Sequence, residues 1–302
     1  MLISLLALFS LPRLSLAALE LFPSGTTSSY PFAVNIPTDL NNSSTPPPVL
    51  VFLHGSGARG TPDELKEKIN YDGVGWLLSQ YNSGNKTAGA QQIVAEDYLT
   101  ILPLLPPTTD AWDWQAVLSV LDAVTEMSTA NSKFSIDQSR ITLAGYSIGS
   151  YGAWYTVFNS SYPTRFSSIV VFGGSSGFTD AQLGTIVAPP QNVSTLSIYA
   201  AGGSLDEKQP GSAPRETILK LDQLANPGLT RNWTAVDLEG MDHKLMSQEA
   251  WFELGWLEFV KEQRIGGRND SQTVTAGNDN RPSQSEGNST SGARRSKRIG
   301  WW

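Results

Sequence analysis

Val49-Leu50-Val51-Phe52-Leu53 is an unbroken apolar run that stops at His54-Gly55-Ser56-Gly57. A strand with one wet face alternates apolar and polar residues. A run with no polar member marks a strand covered on both faces, the habit of parallel sheets. Runs of this type recur at 97–105 (DYLTILPLL), 140–145 (RITLAG), 167–174 (SSIVVFGG), 196–203 (LSIYAAGG) and 233–240 (WTAVDLEG). An earlier strand is expected in SSYPFAVNIP, before TDLNNSSTPPP breaks the pattern with Pro and Asn. Helical spacing fills the gaps. TPDELKEKI starts with Thr61-Pro62 and acidic residues, as helices do. DWQAVLSVLDAVTEM puts Val117, Val120, Leu121 and Val124 on one face, and PRETILKLDQLA and SQEAWFELGWLEFVKEQ repeat that spacing. The alternation predicts an α/β fold: a mostly parallel central sheet with helices on both faces. Ligands of such sheets bind beyond the carboxyl ends of the strands. Those ends offer His54 to Gly57, Gly145 to Gly149, Gly173 to Gly177, Asp206 and His243.

Gly-x-Ser-x-Gly occurs twice, around Ser147 and around Ser175, so the string alone selects neither. A serine nucleophile on a strand-to-helix turn needs a buried strand before it, small flanking residues where strand and helix approach, and a helix directly after it. Ser147 has ITLA before it, Gly145 and Gly149 beside it, and SYGAWYTVF after it, with Tyr151, Tyr155 and Phe158 at helical spacing. Ser175 has the strand, but Gly177, Phe178 and Thr179 delay any helix to a start capped by Thr179 or Asp180. GGSSG therefore reads as a loop at the same edge of the sheet, with no histidine in reach of Ser175. A serine also needs a base, in practice histidine, and the chain has two. His54, with Gly55-Ser56-Gly57, lies where backbone N–H groups shape an oxyanion hole. His243 follows the last strand and is the natural base. The group that orients it is expected between serine and histidine. Asp206, directly after a strand, is preferred over its neighbour Glu207. Asp242 adjoins His243 too closely for good geometry, and Asp222 falls on a solvated helix face.

The chain ends differ from the middle. Residues 1–17, MLISLLALFSLPRLSLA, read as a cleaved secretion signal: the apolar run is too short to span a bilayer, and Ser15 and Ala17 are small, as signal peptidase requires. Residues 265–302 are rich in Gly, Ser, Asn and Thr, without apolar period, and hold six basic against three acidic residues. They read as a disordered basic tail, leaving 18–264 as one domain. Eight Asn-x-Ser/Thr sequons fit a secreted glycoprotein. The absence of cysteine excludes disulfides and thiolate chemistry, and a formal charge of −7 argues against nucleic acid or a membrane surface as partner. No metal or cofactor site is expected.

VLVFLHGSGARG, FSIDQSRITLAGYSIGSYGAW with its Asp-x-x-Arg and Tyr-Gly-x-Trp, LDEKQP and GMDHKL together resemble the α/β-hydrolase superfamily. Within it they are similar to secreted esterases of the polyhydroxyalkanoate-depolymerase-like, feruloyl-esterase-like and predicted-peptidase-like group. The resemblance implies ester hydrolysis by Ser147, His243 and Asp206, with the backbone N–H groups of Ser56 and Ile148 holding the oxyanion. Ile148 and Ser150 stand where that group has Met and Gly. The short connection between the runs at 167–174 and 196–203 leaves no room for a sizeable lid, and an open site suits bulky or polymer-attached esters. His54, Gly57, Trp112 and Trp114 are the residues expected to line the substrate. A serine peptidase of the same fold and a non-catalytic binding protein are the alternatives.

Overall fold

The computed structural model describes residues 18–22, 28–37, 45–84, 89–130, 134–160, 165–187, 196–227 and 231–265. The expected signal at 1–17 and all but the first residue of the expected tail lie outside them. Of the sequons, Asn159 and Asn232 fall within, and both are exposed. Among the described residues no helix is long and apolar enough to cross a membrane.

Eight strands form one sheet: β1 (Ala18–Phe22), β2 (Phe32–Ile36), β3 (Val49–Leu53), β4 (Leu99–Pro103), β5 (Ile141–Tyr146), β6 (Ser168–Phe172), β7 (Ser197–Gly203) and β8 (Trp233–Leu238). Their order is β1-β2-β4-β3-β5-β6-β7-β8. β1 and β2 pair antiparallel, β2 meets β4 antiparallel, and every pairing from β4 to β8 is parallel. The helices are α1 (Leu65–Lys68), α2 (Gly73–Asn82), α3 (Ala90–Asp97), α4 (Trp114–Ala130), α5 (Ile148–Asn159), α6 (Asp180–Val187), α7 (Ala213–Leu224), α8 (His243–Met246) and α9 (Gly255–Lys261).

The apolar runs are apolar because each strand feeds two cores. In β3, Val49, Val51 and Leu53 join one cluster with Val117, Val120, Leu121 and Val124 of α4 and Trp154 of α5. Leu50 and Phe52, pointing the other way, join a second cluster with Leu77 of α2, Val94 of α3 and Trp256 of α9. Alternate residues of one strand thus seal opposite faces.

Three sequence expectations needed correction. WTAVDL is half-buried apart from exposed Asp237 and buried Leu238, because β8 is an edge strand with a single partner among the described strands, not a strand enclosed on both sides. SQEAWFELGWLEFVKEQ is not one helix: a 3-10 turn at Glu249–Phe252 and α9 are separated at Glu253–Leu254. The break lets both Trp251 and Trp256 turn into the core, where Trp256 Nε1–H donates to Trp251 O at 3.2 Å. β1 was not anticipated at all; among the described strands it pairs only with β2. Between β6 and β7 the described chain holds a loop and α6, and residues 188–195 lie outside the description.

Parallel register brings the carboxyl ends of the strands level. Leu53 pairs with Gly145, Tyr146 with Phe172, Phe172 with Ala201, and Gly203 with Leu238. The loops that carry His54, Ser147, Gly173, Asp206 and His243 therefore leave the sheet side by side.

Candidate active site

Ser147 sits between β5 and α5 with φ 55° and ψ −119°, and it is the one non-glycine residue with positive φ among those described. Such backbone costs on the order of 1–3 kcal/mol and persists only where its surroundings enforce it. The enforcement is visible at the flanking glycines. A Cβ on Gly145 would lie 2.3 Å from Gly149 O, and one on Gly149 would lie 1.8 Å from Leu53 O. Ser150 locks the turn from below: its hydroxyl, fully buried, is 2.8 Å from both Gly145 O and Phe172 O and accepts from Phe172 N–H at 3.1 Å.

Ser147 Oγ–H donates to His243 Nε2 at 2.8 Å, and His243 Nδ1–H donates to Asp206 Oδ2 at 2.9 Å. Asp206, with a side chain 1 % exposed, also accepts from Lys208 N–H and Gln209 N–H through Oδ1, so its own loop fixes it. His243 opens α8, with its ring against Tyr146 at 5.2 Å, and the Tyr146 hydroxyl donates to His243 O. Burial, reinforced by the carboxylates of Asp72, Asp206, Asp242 and Glu207, pushes that hydroxyl far above the usual tyrosine range, which keeps it a donor. Asp242 is occupied as the cap of α8, accepting from Leu245 N–H at 2.7 Å, and Asp222 pairs with Arg231 at the surface. The arrangement lets an imidazole, fixed in one tautomer, take the serine proton.

Ser56 and Ile148 each begin a helical turn, where N–H groups have no partner within their own helix. The other residues expected at the substrate divide. Gly57 is exposed, and a Cβ there would come 2.9 Å from the Tyr71 ring. His54 turns away: it is 2 % exposed, its Nε2 accepts from Leu105 N–H at 3.0 Å, and its Nδ1–H donates to Gly55 O at 2.7 Å. Burial lowers its pKa to about 4, so it is neutral. Trp112 is likewise a packing residue, with Nε1–H on His54 O at 3.3 Å and its edge against Tyr30 and His54. Trp114 is half-buried at the start of α4, and among the described residues nothing joins it to Ser147, His243 or Asp206.

GGSSG has a different job from the one its letters suggest. Ser175 is fully buried in a loop, its hydroxyl accepting from Trp154 Nε1–H at 3.4 Å, so substrate does not meet it. The helix after it waits for Thr179, whose Oγ1 accepts from Gln182 N–H. The glycines carry the positional demand. A Cβ on Gly174 would lie 2.5 Å from Ser150 Cβ and 2.6 Å from Ser147 O, and Gly173, at φ 65°, would place one 3.3 Å from the His243 ring. Sequence reading also missed Gln209. Its Oε1 accepts from Ser175 N–H at 2.9 Å and from the Tyr151 hydroxyl at 3.1 Å, tying the Asp206 loop to the loop beneath Ser147. A lone glutamine in a loop carries no periodicity that would have marked it.

No family model matches the chain, and no curated protein matches it. Solved structures do. A thermostable esterase is 20% identical with a TM-score of 0.57, over 82% of this chain and 63% of its own. The acylaminoacyl peptidase of Pyrococcus horikoshii is 11% identical with a TM-score of 0.56, over 85% of this chain and 43% of its own. An S-formylglutathione hydrolase from Agrobacterium tumefaciens is 14% identical with a TM-score of 0.50, over 82% of this chain and 94% of its own. The chain thus spans under two thirds of the first two proteins. It has the α/β-hydrolase fold.

Proposed function

We propose that the protein is a secreted serine hydrolase of carboxylic esters, working through an acyl-enzyme on Ser147. The observation that carries this reading is the hydrogen-bonded chain from Ser147 Oγ through His243 to Asp206, on a turn whose strained serine leads straight into a helix. In the first half-reaction Ser147 Oγ bonds to the ester carbonyl carbon while His243 Nε2 takes its proton. The negative oxygen is received by the N–H groups of Ile148 and Ser56. Collapse breaks the bond to the alcohol, which leaves with the proton from His243. Water then attacks the acyl-enzyme, giving its proton to His243, and the serine departs with that proton as the acid is released. Asp206 keeps His243 in the useful tautomer and balances the imidazolium.

Small or polymer-attached esters are the proposed substrates, because Ser56 and Gly57, in the loop after β3 at the same edge of the sheet, are exposed and α6 is the one helix described between β6 and β7. The test compares hydrolysis of aryl esters, feruloyl esters, triglycerides and peptides by one purified preparation, with Ser147→Ala as control. Ester turnover lost in that variant supports the reading. Turnover retained in folded S147A, or confined to peptides, refutes it.

A further inference from the structure

We propose that Asp72 is a positioning residue for this hydrolysis: it holds the His54–Gly55 peptide so that the following amide, Ser56 N–H, faces the developing oxyanion. The inference rests on the serine-esterase reading above. Asp72 immediately precedes α2, the place where an aspartate ordinarily caps a helix with its side chain. Here it makes no such bond. Its Oδ2 instead reaches back to accept from Gly55 N–H at 3.0 Å, while Oδ1, buried, has no partner. Its backbone is fixed from two further sides. Gly73 N–H donates to Ser247 O at 2.6 Å, just past α8, and a Cβ on Gly73 would fall 2.1 Å from the Phe52 ring. A buried carboxyl group that forgoes its helix and leaves an oxygen unpaired is costly to keep. The group it does serve is the oxyanion loop.

Planar trans peptides turn that bond into an aim. In the His54–Gly55 peptide the carbonyl accepts from Trp112 Nε1–H and the N–H donates to Asp72, so both sides of the plane are held. In the next peptide Gly55 O accepts from His54 Nδ1–H and from Ala58 N–H, so the Ser56 N–H on the same plane points the opposite way. Gly55 cannot be displaced easily, for a Cβ there would meet the Tyr146 ring at 2.8 Å and Asp72 Oδ2 at 3.0 Å. His54 acts at one peptide and Asp72 at the one before it.

The carboxyl group also has an electrostatic role. The titratable or charged groups on the elements around it are His54 and Arg59 after β3, Tyr146 at the end of β5, and His243 and Lys244 on α8; among the described residues none forms an ion pair with it. Burial raises its pKa to about 7, against the lowering effect of the Gly55 bond. Neutral, it still accepts from Gly55 through an oxygen. Ionised, it sets a negative charge beneath a site that must accept negative charge, and the chemical step slows.

The experiment measures kcat and KM on an aryl ester, per serine titrated with a fluorophosphonate, for the wild type, Asp72→Asn and Asp72→Leu. Asn keeps an acceptor for Gly55 and carries no charge; Leu removes both. Losing one oxyanion donor outright costs about 10²–10³-fold in kcat, so a mis-aimed one in D72L is expected to cost about tenfold or more with KM little changed. D72N recovers most of that loss. The ratio of wild-type to D72N kcat falls several-fold from about pH 6 to about pH 9. Wild-type kcat in D72L, or a D72N as slow as D72L, overturns the inference while labelled wild type leaves the esterase reading standing. Should D72L fail to fold, Asp72→Ala, which also removes the acceptor, is read in its place. Wild-type protein that takes up no fluorophosphonate overturns both.

Discussion

Gly174→Ala and Gly184→Ala are the same chemical change ten positions apart, and the structure gives them opposite signs. At Gly174 the new methyl carbon would stand 2.5 Å from Ser150 Cβ and 2.6 Å from Ser147 O. Neither atom is the loose end of a side chain: Ser150 is held by Gly145 and Phe172, and Ser147 O belongs to the strained turn. Ordinary carbon contacts are about 3.5–4 Å, so the turn must retreat by roughly 1 Å. Overpacking of this kind costs about 1–3 kcal/mol, and a displacement of that size at reacting groups costs about 10²-fold in rate. At Gly184, within α6, nothing lies within 4 Å of the added carbon. Alanine there gains about 0.5–1 kcal/mol of helix propensity. For a domain of this size, 1 kcal/mol moves Tm by roughly 2–4 °C. Calorimetry should therefore show G174A melting about 2–12 °C lower and G184A about 1–4 °C higher. Ester turnover per folded molecule should fall only in G174A. Equal melting shifts, or full turnover in G174A, would show that the second glycine motif does not brace the first.

Two further outcomes concern pH. His54, neutral in the fold down to about pH 4, denies the folded chain a proton that the unfolded chain takes up below about 6.5, so its contribution to stability falls as pH drops through that window. Asp72, protonated in the fold up to about pH 7, has the reverse slope: the unfolded chain releases that proton above about 3.8, and stability falls as pH rises between those values. Each is worth roughly 3–4 kcal/mol, so the two nearly cancel in the wild type; urea titrations of D72N and His54→Gln should tilt in opposite directions from it, and parallel curves would refute the assignment. At the other end of the sheet, burial of Asp137 is outweighed by bonds from Ser139, Arg140 and Arg264, which lower its pKa to about 2. Asp137→Asn should cost about 1–2 kcal/mol at neutral pH, with the difference from wild type closing as the pH is lowered from about 4 towards 2; no loss in urea unfolding at neutral pH would contradict it.

The sheet was legible because burial on both faces leaves a strand mostly apolar and free of charge, and β3 to β7, buried throughout, all carry that mark. Where a strand lies at an edge the mark fades, so β1 went unseen and β8 looked more enclosed than it is. Ser147, His243 and Asp206 could be placed next to one another because parallel register levels the strand ends, whatever lies between them in sequence. Side-chain direction is a different matter. His54 and Trp112 occupy the right loop ends, yet each faces the core, since a backbone N–H at Leu105 and a carbonyl at His54 needed partners there. Asp72 and Gln209 left no trace in the pattern. Their partners are Gly55 and Ser175, backbone groups 17 and 34 residues away, and no spacing rule reaches so far.

The most direct measurement is the position of covalent capture. Native protein is reacted with a fluorophosphonate, digested, and the modified peptide identified by mass, with Ser147→Ala and Ser175→Ala in parallel. Modification of the peptide that contains Ser147, abolished in S147A and undiminished in S175A, is the predicted result. A label on Ser175, or none on folded wild-type protein, contradicts it.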